Sequence, residues 1–218
     1  MGMVPAFMRS FRASQVLMAL ACWSLATPVR AWDDPAAGLA ARARAECETG
    51  RRATDRQVRK DHFDRGQALA ERAVALNDTS ADAHFALFCN LGELMRLDGE
   101  TLSQVFQLRR LMAEVNRTLE LDPNHVDAMA AKGTLLVRLP RLLGGDAVRG
   151  EAMLRQVILR DPNAVSSRLA LANVCEARGD RDEALAFATR ALQIAREQGR
   201  ADKIAEAQAT LAELRAAR

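Results

Sequence analysis

The chain has 218 residues, about half of them apolar, with few aromatics and no tyrosine. That length holds one domain of about 100–200 residues plus an extension. Abundant Ala, Leu and Arg favour helix over sheet, which leans on β-branched and aromatic side chains. The formal net charge is +3, all of it supplied by Arg9, Arg12 and Arg30. From Trp32 onward acids and bases balance, which removes any global electrostatic case for nucleic acid.

The N-terminus reads as an export signal. Arg9 and Arg12 form a positive start, Val16 to Ala26 an apolar run, and Val29 and Ala31 flank Arg30 as a small-x-small cleavage site. The run is too short to span a bilayer. The expected organisation is a signal peptide over 1–31 and a mature chain over 32–218, periplasmic or secreted, with no membrane span after cleavage. A lipid anchor at Cys22 is a minor alternative. Cys47, Cys89 and Cys175 remain after cleavage. An exported chain is able to oxidise one pair of them and leave one thiol. Their spacing matches no metal or redox motif, and buried free thiols are the simpler reading.

Helical periodicity then runs end to end, punctuated by Gly, Pro, Asp and Asn, with no strand pattern. Helices are expected over 35–49, 52–77, 81–97, 101–121, 126–139, 147–160, 164–178, 182–197 and 201–217. In the second, Asp55 with Arg59, Lys60 with Asp64 and Asp61 with Arg65 are spaced as i,i+4 pairs, so "RRATDRQVRKDHFDR" reads as a solvated face. The last helix places Ile204, Ala207, Leu211 and Leu214 on one stripe, as a terminal cap does.

Self-similarity is the stronger signal. "LELDPNHVDAMAAKG" (119–133) and "ILRDPNAVSSRLALAN" (158–173) share a helix end, Asp-Pro-Asn and a new helix with small-large apolar spacing. "VALNDTSADAHFALF" (74–88) is a third copy, with Asp78 in place of Pro123 and Pro162. Proline lacks the N–H and disfavours helix in the residue before it, so it separates one helix from the next. The segment from Asn163 to Ile194 resembles a tetratricopeptide repeat. Leu171 and Ala172 take its large-small pair, Gly179-Asp180 its turn, and Ala184, Ala188 and Ala191 points of its second helix. Arg168 departs from the pattern at an apolar point. The same frame places Gly133, Leu136, Gly150, Leu154 and Val157 in the preceding unit. Pro123 and Pro162 stand 39 residues apart, about five more than the repeat of about 34. The unit before that needs about eleven extra residues, around "RLDGETLSQVF".

These inserts, with "LPRLLGGD", make residues 50–195 resemble the periplasmic TRAP-transporter T-component family and the related regulator-of-microtubule-dynamics repeat proteins. The resemblance implies an all-α fold of stacked antiparallel helix pairs with a C-terminal capping helix. It implies a scaffold for a protein or peptide partner. The alternative is an accessory that handles ligand beside a solute-binding protein and forms a homo-oligomer. First helices would line the inner, concave face, presenting Phe85, Thr134, Arg138, Leu169 and Asn173 to the partner. Asn173 stands where some repeat proteins hold a peptide backbone or carboxylate, but the accompanying lysines and second asparagine are missing. A local pair of Arg138 with Asp127 or Glu176 is its simpler reading.

Nothing points to an enzyme, cofactor or metal. His62, His84 and His125 form no HExxH and have no partner at ligand spacing. His125, beside Asn124 in a turn, reads as solvated. "LGGD" lacks the Lys-Ser/Thr of a phosphate loop. It reads instead as an enlarged turn in which Gly145 permits a positive φ and Asp146 caps the next helix. Leu142 and Leu143 have no place in the standard repeat; they tuck under neighbouring helices or, if exposed, meet a partner.

Overall fold

The computed structural model describes residues 34–98 and 104–216. The signal segment, the cleavage site after Ala31, Cys22 and the middle of the first insert lie outside them. The described residues form helices α1 (Pro35–Arg52), α2 (Arg56–Leu76), α3 (Ala81–Asp98), α4 (Gln104–Leu121), α5 (Val126–Arg138), α6 (Ala147–Arg160), α7 (Val165–Arg178), α8 (Arg181–Glu197) and α9 (Ala201–Ala216), with a 3-10 turn at Arg141–Leu143 between α5 and α6. Helix starts have local causes. Asp34, Asp55 and Asp146 accept the N–H of Ala36, Val58 and Arg149, and Pro35 opens α1 where its missing N–H costs nothing.

The repeat phase is written in hydrogen bonds. Asn77, Asp122 and Asp161 each accept, through the side chain, the N–H two residues on, in Thr79, Asn124 and Asn163. Their carbonyls accept the next N–H, from Ser80, His125 and Ala164. The Asx turn therefore recurs even where Asp78 replaces proline, so the side-chain acceptor sets the turn and proline only reinforces it.

Successive helices pack as pairs: α3 with α4, α5 with α6, α7 with α8. The pairs close through small residues. A Cβ at Gly133 would stand 2.9 Å from Leu154 Cγ, and one at Gly150 only 2.8 Å from the Gly133 carbonyl oxygen. Ala184, Ala188 and Leu171, Ala172 are fully buried in the last pair. Gly179 ends α7 at φ 87°, donating back to α7 carbonyls. The cap α9 lays Ala207, Leu211 and Leu214 on α7 and α8, with Ile204 packed beside them.

Three points go beyond what the sequence spells out. First, α1 and α2 form a helix pair that packs on α3. Gly50 lies against the Phe63 ring so closely that any Cβ would collide with it. Ala36, Ala40, Ala43 and Cys47 form the buried stripe of α1. The signal in the sequence is this run of small residues; its low hydrophobicity hides it. Second, Cys47 and Cys89 are a disulfide, Cα–Cα 6.3 Å, joining α1 to α3, and Cys175 is a buried thiol. Free thiols are the simpler reading of the sequence because the pairing joins helices whose contact no local pattern announces. Beside the disulfide, fully buried Asn90 donates to the carbonyls of Ala43 and Ala86. Third, the positive φ of the long turn belongs to Gly144, at 91°; Gly145 is needed because a Cβ there would strike the Leu139 carbonyl.

On α2 only Lys60 and Asp64 form the expected pair, at 2.7 Å. Asp55 is spent on the cap, Arg59 turns to Glu93 and Arg65 to Glu46, because tertiary carboxylates stand nearer than the i,i+4 ones.

Gly150→Ala should destabilise the protein by about 1–3 kcal/mol despite alanine's better helix propensity, because a Cβ there meets the Gly133 carbonyl, the branched Val137 and Leu136 Cβ, none of which is the far end of a flexible side chain. Gly38→Ala, where a Cβ meets nothing within 4 Å, should instead stabilise by about 0.5–1 kcal/mol. Urea unfolding of the two variants checks the contrast.

Candidate functional site

The face formed by the first helices is closed at one end and open at the other. At the closed end Phe85 is 7% exposed, not presented to solvent as expected. The Arg44 guanidinium of α1 sits 4.8 Å over its ring, the His125 ring lies 4.6 Å away, and Phe88 stacks at 5.7 Å. Arg44 continues to Asp127 at 2.9 Å. His125 Nδ1 accepts the Ala128 N–H at the start of α5, and its Nε2 is 3.7 Å from Asp82. His125 is therefore not the solvated loop residue its sequence position suggests. It is the joint between the second and third pairs, where α4 meets α5 less extensively than any other successive helices. Cation–π and ring contacts of about 0.5–2 kcal/mol each add there to the apolar packing of Phe85 with Val115 and Ala128.

Further along α3 the face is also filled. Glu93, 3% exposed, accepts from Arg51 at 2.8 Å and Arg96 at 3.0 Å, with Arg59 at 3.8 Å. His84 bridges Glu114 at 2.7 Å and the Asp78 carbonyl at 3.1 Å. Among the described residues no group of three or more His, Cys, Asp and Glu is placed to hold a metal ion.

The open end is made by α5 and α7, which lie side by side. Thr134 is half-buried and returns its hydroxyl to the Ala130 carbonyl at 2.8 Å. Arg138 is exposed and its side chain has no partner among the described residues. The local pairs expected for it do not form: Asp127 is held by Arg44, and Glu176 makes no ion pair with it. Asn173 and Ser166 are exposed, their side chains equally unpaired among the described residues. Leu169, by contrast, is 2% exposed and packs with Val165, Ile194 and Ala207. It is core, because α9 covers the part of α7 that a further repeat would have covered. Arg168, the departure from the repeat pattern, is buried and donates to the Ala164 carbonyl; that burial, with Arg190 nearby, lowers its pKa. Of the five expected partner residues, then, Arg138 and Asn173 are free at the surface, Thr134 partly so, and Phe85 and Leu169 are not.

Behind this face an ion network ties α6, α7 and α8. Arg155 bridges Glu151 and Glu183, and Arg178 bridges Glu151, Asp180 and Glu183. Hydrogen bonding from Arg155, then from Cys175, lowers the Glu183 pKa. Burial first, then the Glu183 carboxylate 3.2 Å from Sγ, pushes the Cys175 thiol up to about 11. Such a thiol is a poor nucleophile at neutral pH.

The raised thiol pKa makes stability depend on alkaline pH. Between about pH 9 and 11 the unfolded chain loses the thiol proton while the folded chain keeps it, so stability is intact below that window and falls through it. The wild type should lose about 1–3 kcal/mol across the window relative to Cys175→Ala. Urea titrations of both proteins at pH 8 and 10.5 measure the difference.

No family model matches the chain and no curated protein is similar to it in sequence. Solved structures are similar in fold. TTC0263, a thermophilic TPR protein of Thermus thermophilus, superposes with a TM-score of 0.58 at 20% identity, over 83% of each chain. MamA superposes with a TM-score of 0.46 at 16% identity, over 72% of this chain and 80% of its own. The recurrent Asx turns, the glycine-closed helix pairs and the first of these superpositions agree: the chain is an all-α solenoid of stacked antiparallel helix pairs, with the fold of the tetratricopeptide-repeat proteins and a C-terminal helix.

Proposed function

We propose that the protein is an exported helical-repeat scaffold that holds an extended segment of a partner protein against the open α5–α7 face. The observation that carries the reading is the contrast along one face. From α1 to the start of α5 the polar groups around Phe85 are matched within the chain, whereas Arg138, Ser166 and Asn173 are left exposed without side-chain partners among the described residues. Arg138 offers a planar two-pronged donor to a carboxylate, and Asn173 a donor and an acceptor to a peptide backbone. The Cys47–Cys89 disulfide supports export, because such bonds persist in oxidising compartments. Residues 1–31 then act as the signal and leave Trp32 as the first residue. The narrower role, handing ligand to a solute-binding protein, is supported by the resemblance around "LPRLLGGD" and by the turn's enlarged, closed form.

A photo-crosslinking residue at Asn173 should yield a discrete partner adduct in periplasmic extracts, and the same residue at exposed Thr189 on α8 should not. Arg138→Ala should weaken the adduct about tenfold while leaving the melting temperature unchanged, since a charged carboxylate contact contributes about 1.5–3 kcal/mol. Equal adducts at both positions, or an Arg138→Ala protein that binds normally, would overturn the assignment of this face. The processed protein should begin at Trp32 and carry Cys47 and Cys89 oxidised in N-terminal sequencing and thiol titration; a retained N-terminus with reduced cysteines would overturn the export reading. A solute-binding protein in the adduct would select the narrower role.

A further inference from the structure

The turn between α5 and α6 carries apolar side chains outward, where the Asx turns of the stack carry polar ones. Leu142 is 98% exposed and Leu143 is exposed as well, and Val148, at the start of α6, is 80% exposed. Loose loops expose leucine too, but this turn is built. Leu143 and Gly145 both donate to the Pro140 carbonyl, Gly144 donates to that of Arg141, and Asp146 donates to that of Leu136 in α5. Gly144 adopts the left-handed conformation that closes the 3-10 turn, and Gly145 sits against the Leu139 carbonyl. The backbone thus holds Leu142 at a projecting tip, almost wholly in solvent.

The charges around that tip are one-sided. Arg138, Arg141 and Arg149 are exposed and their side chains have no partner among the described residues. From Arg138 to Gly150 the only acid is Asp146, and its carboxylate is engaged by the Arg149 N–H. Lys132 of α5 adds to the positive field, and its pKa is lowered by burial and then by Arg149. The complement of this surface is anionic and takes up apolar side chains without a shaped pocket. A groove on another protein would have to fit a projecting leucine; the headgroup region of an anionic bilayer accepts it as it stands.

We propose that this turn and the start of α6 form a membrane-touching tip, with Leu142, Leu143 and Val148 entering the interface of an anionic bilayer and Arg141 and Arg149 holding its phosphates. The contact is peripheral and reversible: no helix among the described residues is long and apolar enough to cross a membrane. It goes beyond the scaffold reading and does not depend on it, since the α5–α7 face and the tip use different side chains.

The test is partition of the processed chain that begins at Trp32, and of its variants in the same form, onto vesicles of phosphatidylcholine with or without about a third of phosphatidylglycerol. Binding should require the anionic lipid and weaken in high salt. Arg141→Ala should lower the partition coefficient about fivefold, the factor for one arginine near an anionic surface. Leu142→Asn should lower it about tenfold or more, because burial of the leucine is lost. Arg141→Ala and Leu142→Asn alter solvated side chains, so both proteins should retain the wild-type melting temperature. Partition that ignores Leu142→Asn, or that is equal on phosphatidylcholine alone, overturns the proposal. So does a photo-crosslinker at Leu142 that captures a protein in cells while the vesicles bind nothing. Because Arg141 and Leu142 are outside the α5–α7 face, failure here leaves the Asn173 crosslink unaffected, and the two readings fail separately.

Discussion

Everything in this fold depends on how closely two helices of a pair approach. At α5 and α6 the approach is limited by backbone: the space beside the Gly133 carbonyl is filled by Gly150, and Leu154 fills the space over Gly133. At α1 and α2 the Phe63 ring occupies the position that a side chain on Gly50 would take. In α7 and α8, Ala172, Ala184 and Ala188 serve the same end. Small residues at these points bring the pair together. The large residues beside them then meet the neighbouring pair, which is how a stack with so few aromatics still builds a continuous core.

The stack is reinforced unequally along its length. At the N-terminal end the disulfide and the Asn90 hydrogen bonds fasten α1 to α3, and Arg51 covers the buried Glu93. At the C-terminal end α9 shields α7 and α8, and the Arg155–Arg178 network links the last two pairs. Between them, at the joint of α4 and α5, the two helices meet over a shorter stretch, around the buried Phe85, Val115 and Ala128. There Arg44, Phe85 and His125 bridge three elements. Fastening the ends and filling the middle of the face leaves a stretch, at α5 and α7, where Arg138, Ser166 and Asn173 have no side-chain partner among the described residues. The same economy explains Leu169. A position that faces outward in an internal repeat becomes core in the last one, because the cap must rest on something.

Much of this was legible in the chain itself. Helix limits followed from Asp, Asn, Pro and Gly, since capping and turn chemistry are local and need no tertiary partner. The repeat phase followed from the recurrence of Asp-Pro-Asn and of the glycines, since close packing leaves its mark as small residues at fixed spacing. The first helix pair was harder to read because its stripe is alanine, which signals helix without signalling burial. Ion pairs were the least legible. Arg59 and Arg65 leave their i,i+4 partners for carboxylates on other helices, and Asp127 takes Arg44 across the face. Charge pairing is settled by whichever opposite charge lies nearest in space, and the chain does not print that distance.

By itself the sequence determined the helices, their turns and their stacking in pairs, because each depends on residues within one repeat of each other. Only the tertiary structure decided which side chains remain for a partner. Phe85 and Leu169 are lost to the interior, Arg138 and Asn173 stay outside, and Leu142 projects from its turn. The reason is physical: exposure belongs to the whole stack. A residue on the right face of its own helix is still covered when a helix distant in sequence, such as α1 or α9, comes to lie across it.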